Sequence, residues 1–205
     1  GLVRPVEFTT QGDRFGWVRN DDGTWNLTLY IENGRVEDRG DVQLMSGLRE
    51  IAGQHQGDFR ITANQNLIVA GVPESGRAAI EVVARDHGLL AEQRSPTRLA
   101  SIACVALPTC PQAMAEAERY FPELLGRVEQ LAVLHGIDGR AIVMRMTGCP
   151  NGCARPFVAE IGLVGKGPGR YNLHLGGDGS GCRLAGLYRK NLDEAGILKT
   201  LGALF

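Results

Sequence analysis

Apolar residues recur along the chain at two spacings, and the switches between them predict its strands and helices. Residues 15–19 and 25–32 read as strands on either side of the polar turn Asn20-Asp21-Asp22-Gly23. Leu44, Met45, Leu48 and Ile51 then share one face of a helix over residues 41–54, with Asp41 as its cap. Residues 59–62 and 67–72 read as strands flanking the polar insert Ala63-Asn64-Gln65-Asn66. Ile80, Val83 and Ala84 stripe a second helix over 73–87, which Gly88 ends.

The segment Gln93-Arg94-Ser95-Pro96-Thr97 reads as a linker. It divides the chain into a unit of residues 1–92 and a cysteine-bearing unit of residues 98–205. In the second unit, Pro111 opens an expected helix over 111–120 with Met114 and Ala117 turned inward. A second helix over 122–135 carries Leu124, Leu125, Val128, Leu131 and Ala132 on one face. The apolar run 141–146 predicts a buried strand, 160–164 and 171–175 two more, and 193–201 a last helix. The fold class expected is α+β: a ferredoxin-like α/β unit followed by an α+β domain.

Composition changes this picture little. Lys and Arg total 22 against 23 Asp and Glu, so no overall charge draws the protein to nucleic acid or to a membrane surface. No apolar run reaches the roughly 20 residues that cross a bilayer, and no leader pattern marks export. Five cysteines in 205 residues is an odd and sparse number for a secreted disulfide scaffold, and suits a reducing, cytoplasmic setting better. Gly at position 1 points to a fragment or a processed chain.

The chemistry concentrates in Thr147-Gly-Cys-Pro-Asn-Gly-Cys-Ala-Arg-Pro156. Cys149 and Cys153 sit there among Gly and Pro, which let backbone fold tightly over something bulky. Cys104 and Cys110 form a second pair, with Pro108 and Pro111 close by. Two loop-borne pairs of thiols suit a soft metal centre. Structural zinc usually takes Cys-x2-Cys or Cys-x4-Cys hairpins, whereas Cys-x5-Cys and Cys-x3-Cys depart from that habit. An iron–sulfur cube accepts such irregular spacings. Unligated buried cysteines are the third reading. Cys182 has no partner at ligand spacing and reads as a spare thiol. Asn64, Gln65 and Asn66 read as a solvated turn, or as amides that bind a ligand's carboxylates.

Four segments carry a family resemblance over essentially the whole chain. They are Arg60-Ile-Thr-Ala-Asn-Gln-Asn-Leu67, Cys104-x5-Cys110, the 147–156 stretch and Gly162-Leu-Val-Gly-Lys-Gly-Pro-Gly-Arg-Tyr-Asn-Leu-His-Leu-Gly-Gly177. Together they resemble the sulfite and nitrite reductase family. Residues 63–66 and 166–171 resemble its NADPH-dependent assimilatory sulfite branch more closely than the ferredoxin-dependent nitrite or sulfite reductases, which remain the alternative.

The resemblance implies a 4Fe-4S cluster held by Cys104, Cys110, Cys149 and Cys153. Cys153 would also be the proximal ligand of a sirohaem iron, its sulfur bridging the two cofactors. Asn151 and Gln65 match positions that lie against the sirohaem. The implied activity is reduction of sulfite to sulfide, with an NADPH-oxidising flavoprotein subunit as electron donor. The cations that hold the substrate anion belong, in the family, to an N-terminal half, so the chain is expected to be the second of two halves and to end short of the family's C-terminus. No catalytic residue is therefore assigned within it. Arg155, Lys166 and Arg170 read as turn or surface residues. The glycine-rich stretch 162–169 is not a phosphate loop, because Gly167 follows Lys166 where Ser or Thr is needed.

Overall fold

The structure, a computed structural model, describes residues 12–92, 94–178 and 180–205. Residues 1–11 of the expected first unit, Gln93 of the expected linker and Gly179 near Cys182 lie outside the described residues. Two units are present, Asp13–Arg94 and Ser95–Phe205, with Gly12 belonging to the latter.

In the first unit, β1 (Gly16–Arg19) and β2 (Trp25–Leu29) form a hairpin. A small ribbon of β3 (Asp38–Arg39) and β4 (Val42–Gln43) leads into α1 (Leu44–Gln54). β5 (Asp58–Ile61) and β6 (Leu67–Val72) follow, then α2 (Arg77–Asp86) after a 3-10 turn at Glu74–Gly76. The antiparallel sheet runs β1-β2-β6-β5. Its Leu27, Leu29, Val69 and Val72 pack on Leu44 and Ile51 of α1 and on Ile80, Val83 and Ala84 of α2. Burying these side chains is what holds the unit together.

The start of α1 differs from expectation. Asp41 does not cap it; residues 42–43 are strand, and the helix begins at Leu44 with no side-chain cap on its first turn from Gln43. Asp38 satisfies the free amides from across the ribbon instead. Its carboxylate accepts from the backbone N–H of Met45 at 2.9 Å and of Ser46 at 3.1 Å, and from the Ser46 hydroxyl at 2.7 Å. These bonds, that of the Ser46 hydroxyl foremost, hold the Asp38 carboxyl below its ordinary range.

The polar insert is a built turn between β5 and β6. The Asp13 carboxylate accepts from Thr62 Oγ1 at 2.6 Å, Asn66 Nδ2 at 2.8 Å and Asn64 Nδ2 at 3.1 Å. Asn66 is buried, and its Oδ1 accepts the backbone N–H of Ile31 at 3.0 Å. Asn66→Ala is therefore expected to cost about 2–3 kcal/mol, because it strands a buried amide. Gln65→Ala removes no core contact of this kind and is expected to stay within about 0.5 kcal/mol of the parent. Urea unfolding of both variants checks the contrast; equal losses would contradict it.

The second unit opens with α3 (Pro96–Leu99), a short helix that begins within the expected linker and runs past it, where the Ser95 hydroxyl accepts the Arg98 N–H at 3.0 Å. It continues through β7 (Ile102–Ala103), α4 (Phe121–Leu134), β8 (Met144–Thr147), β9 (Ile161–Gly167), β10 (Arg170–Leu175), β11 (Gly186–Leu192) and α5 (Glu194–Gly202). The sheet order is β11-β10-β9-β8-β7, with β7, β8 and β9 parallel and the rest antiparallel. Met144, Met146, Leu163, Tyr171 and Leu173 on one sheet face pack on Phe121, Leu124, Leu125 and Val128 of α4 and on Ile197 and Leu201 of α5.

The helix expected over 111–120 does not form. Its backbone donors are taken by neighbouring loops: Met114 and Ala115 both donate to the Gly148 carbonyl, at 2.8 and 3.0 Å, and Glu118 donates to the Cys104 carbonyl at 3.0 Å. Ala117 is buried as expected, but Met114 is 41% exposed. Among the described residues, no helix is long and apolar enough to cross a membrane.

Candidate cofactor site

Parallel strands present their carboxyl ends together, and the loops leaving those ends are the usual seat of ligands in such sheets. Cys104 follows β7 directly, and Cys149 follows β8 by one residue. The Cys104 N–H donates to the Met146 carbonyl at 3.1 Å, which carries the sheet ladder up to the first thiol. The Cys104 sulfur accepts the Gly148 N–H at 3.3 Å, and the Ala106 N–H also points at it. Residues 104–110 then wrap tightly, with the Cys110 N–H donating to the Ala106 carbonyl at 2.7 Å. Ala106 has a left-handed backbone (φ 48°).

Two glycines make this approach possible. A Cβ on Gly148 would stand 2.6 Å from both the Ala106 Cβ and the Ala115 carbonyl oxygen. A Cβ on Gly165 of β9 would stand 2.4 Å from the Gly148 carbonyl oxygen. The two cysteine loops, the 111–120 segment and β9 thus meet backbone to backbone.

The second loop is closed by its own hydrogen bonds. The Thr147 hydroxyl donates to the Cys149 carbonyl at 3.1 Å, and the Arg155 N–H donates to the Gly152 carbonyl at 2.7 Å. Gly152 has φ +70°, and a Cβ there would lie 3.1 Å from the Phe157 ring. That ring meets His174 edge-on at 5.1 Å, and burial pulls the His174 imidazole below its ordinary pKa. Asn151 is exposed and donates to Gln112 Oε1 at 2.6 Å, which ties the loop to the 111–120 segment.

All five thiols are free. Cys149 is buried, Cys104 and Cys110 are half-buried, and Cys153 is exposed. Burial pushes the Cys104 thiol up, partly offset by the Gly148 and Ala106 amides that favour its charged form, with a smaller upward push from Cys153 and Cys149. The Gly148 N–H on the Cys104 sulfur ties the first loop to the loop of Cys149 and Cys153, while Cys110 is placed by its backbone bond to Ala106. Cys182 sits in a separate turn between β10 and β11, its N–H on Asp178 Oδ1 at 2.8 Å. Gln65 belongs to the first unit, where it has φ 67° and packs beside Gly34.

Among the described residues, no three His, Cys, Asp or Glu side chains gather as tightly as a single metal ion needs. A tetrahedral zinc with Zn–S near 2.3 Å would put its four sulfurs about 3.8 Å apart. A 4Fe-4S cube takes one thiolate per iron and spreads its sulfurs more widely. Four free thiols on two loops, one of them already receiving backbone N–H donors, are donors of the kind such a cube takes.

One charged residue was not singled out by its sequence. Arg145 is central in β8 and only 3% exposed. Burial, reinforced by the charge of Arg155, pulls its pKa down to about 10. A lone arginine inside Ala-Ile-Val-Met-Arg-Met was the available signal. The glycine-rich stretch 162–169 is β9 and its turn into β10, strand–turn–strand rather than the strand–loop–helix of a phosphate loop.

Residues 18–82 match the family described as the nitrite/sulfite reductase ferredoxin-like half domain. The chain is 59% identical over 202 residues to the sulfite reductase (NADPH) hemoprotein beta-component of Shewanella sp. (strain ANA-3), covering 98% of this chain and 36% of that protein. The same-named component of Shewanella baltica (strain OS155 / ATCC BAA-1091) matches at the same identity and coverage. Among solved structures, the Mycobacterium tuberculosis NirA protein superposes with a TM-score of 0.69 at 20% identity, covering 98% of this chain and 37% of that one, a likeness of fold. The chain spans about a third of the length of the curated relatives it matches.

Proposed function

Because the chain belongs to the sulfite and nitrite reductase family, we propose that it is the cluster-bearing part of a sulfite reductase haemoprotein. The observation that carries this reading is the set of four free thiols on the two loops at the carboxyl ends of β7 and β8. When bound, a sirohaem and a 4Fe-4S cluster would supply the one-electron deliveries that reduce sulfite to sulfide.

The residues of this chain have distinct parts in that reading. Cys104, Cys110, Cys149 and Cys153 each supply one thiolate to the cluster. The Gly148 and Ala106 amides aimed at the Cys104 sulfur hold it in place and stabilise its negative charge. Cys149 is buried, which would keep water from its ligand bond, whereas the exposed Cys153 would be the thiolate accessible to the sirohaem iron as well. Asn151, two residues before it, braces the loop against Gln112 and would lie beside the sirohaem. Gln65 offers its amide to the carboxylates of sirohaem.

No side chain in the chain is assigned to proton delivery or to holding the sulfite anion. The cations that hold the anion would come from an N-terminal half of the same subunit, and the electrons from an NADPH-oxidising flavoprotein subunit. The free thiols suit a cytoplasmic compartment.

Sulfide release from sulfite, driven by a chemical one-electron donor, tests the reading. The full polypeptide is expected to turn over. The 205-residue chain alone, reconstituted anaerobically with iron, sulfide and sirohaem, is expected to be inert. Without the cationic walls, the anionic rim of the tetrapyrrole and the substrate would lack partners. Sustained sulfide production by this chain alone would contradict the division of roles.

A further inference from the structure

Arg145 stands in a strand whose neighbours face the opposite way. Met144 and Met146 enter the core under α4 and α5, so Arg145 leaves the sheet on its other face. Its register partner there is Gly162 of β9, where a Cβ would stand 2.3 Å from the Pro156 carbonyl oxygen. The segment after Cys153 therefore lies directly over this part of the sheet. Arg145 Nη1 reaches up to the Arg155 carbonyl at 3.4 Å.

Arg155 is the closing residue of the Cys153 turn. Its backbone is left-handed (φ 57°, ψ 50°), a conformation unfavourable for a residue with a side chain and kept only where the surroundings enforce it. Its N–H bonds Gly152 at 2.7 Å, and its carbonyl also receives the Val158 N–H at 3.3 Å. A guanidinium buried this deeply loses solvation that an apolar residue of similar size would not, so stability alone does not call for it.

We propose that Arg145 is a positioning residue for Cys153: by holding the Arg155 carbonyl it fixes the turn Gly152–Arg155 and sets where the exposed thiolate lies. The proposal deepens the function proposed above and rests on it for the role of Cys153, but not for the geometry of the turn.

Arg145→Met and Arg145→Lys in the full chain test it through three readouts. In Arg145→Met the melting temperature is expected to stay level or rise, since a buried charge is removed. Hydrogen exchange, followed by mass spectrometry on metal-free protein, is expected to quicken at least about tenfold for Arg155 and Val158 while Ile161 in β9 is unchanged. The loaded centre is expected to shift its reduction potential, and Arg145→Lys to recover part of both effects. Unchanged exchange at Arg155 and Val158 overturns the proposal. So does a fall in melting temperature with exchange quickened equally across β8 and β9, which is the mark of a purely structural residue. Local quickening in a protein that takes up no iron supports the positioning role and counts against the cofactor reading alone.

Discussion

Serine at Cys104, Cys110, Cys149 or Cys153 is expected to remove the cluster's roughly four irons from the full polypeptide, which with the sirohaem iron holds about five per chain, while serine at Cys182 leaves the content unchanged. A hydroxyl is a hard, weakly acidic donor, and at neutral pH it does not replace a thiolate on iron. Topology explains why Cys182 differs. β9 runs parallel to β8, so its carboxyl end shares the edge of the sheet where the two cysteine loops emerge. β10 returns antiparallel, and its last residue, Leu175, pairs with Ile161 at the start of β9. The turn holding Cys182 follows β10 and so leaves from the opposite edge. Seven residues of β9 at about 3.3 Å each set the two edges roughly 20 Å apart. Iron analysis of the five single variants checks the set. Equal loss from Cys182→Ser, or full retention in Cys149→Ser, would remove the ligand assignment.

Alanine at Gly148 or Gly165 is expected to destabilise the second unit by about 3 kcal/mol, the largest stability effect foreseen. At Gly148 the new methyl meets the Ala106 Cβ and the Ala115 carbonyl oxygen, and at Gly165 it meets the Gly148 carbonyl oxygen and carbon. These are mostly backbone atoms, which do not swing aside as the end of a flexible side chain does. Moving them also strains the bonds from Met114 and Ala115 to the Gly148 carbonyl. In a chain of this size the loss lowers the melting temperature by roughly 6–12 °C. Alanine at Gly167, where a Cβ meets nothing within 4 Å, is the control and is expected to change little. Calorimetry of the three variants decides it; equal stability at Gly148 and Gly167 would contradict the close backbone approach.

Those glycines mark the limit of what the sequence conveys. The periodic elements were legible: the stripes Ile80, Val83, Ala84 and Leu124, Leu125, Val128 are buried as their spacing predicts. Strand β11 was not, because Gly-Leu-Tyr-Arg-Lys-Asn-Leu is exposed on both faces and shows no alternation. The 111–120 segment carries helix-like residues, but its amides bond to Gly148 and Cys104, partners remote in sequence. For the same reason Asp38, not the nearer Asp41, serves the start of α1. In the candidate site, what type and spacing conveyed was the placing of the thiols on two loops, now seen to leave the carboxyl ends of β7 and β8. The bracing by Phe157, Gln112 and Arg145 did not, since it depends on which groups the sheet brings under the loop.

The most direct test of the account is the composition of the protein isolated without oxygen. Iron, acid-labile sulfide and zinc are measured on the full polypeptide, together with its visible spectrum. The account predicts about five iron per chain, four in the cluster and one in the sirohaem, and about four sulfide, with broad absorption near roughly 400 nm that disappears in Cys149→Ser. A colourless protein with about one zinc per chain and no sulfide would show that the cysteines staple the fold, and the redox assignment would be wrong.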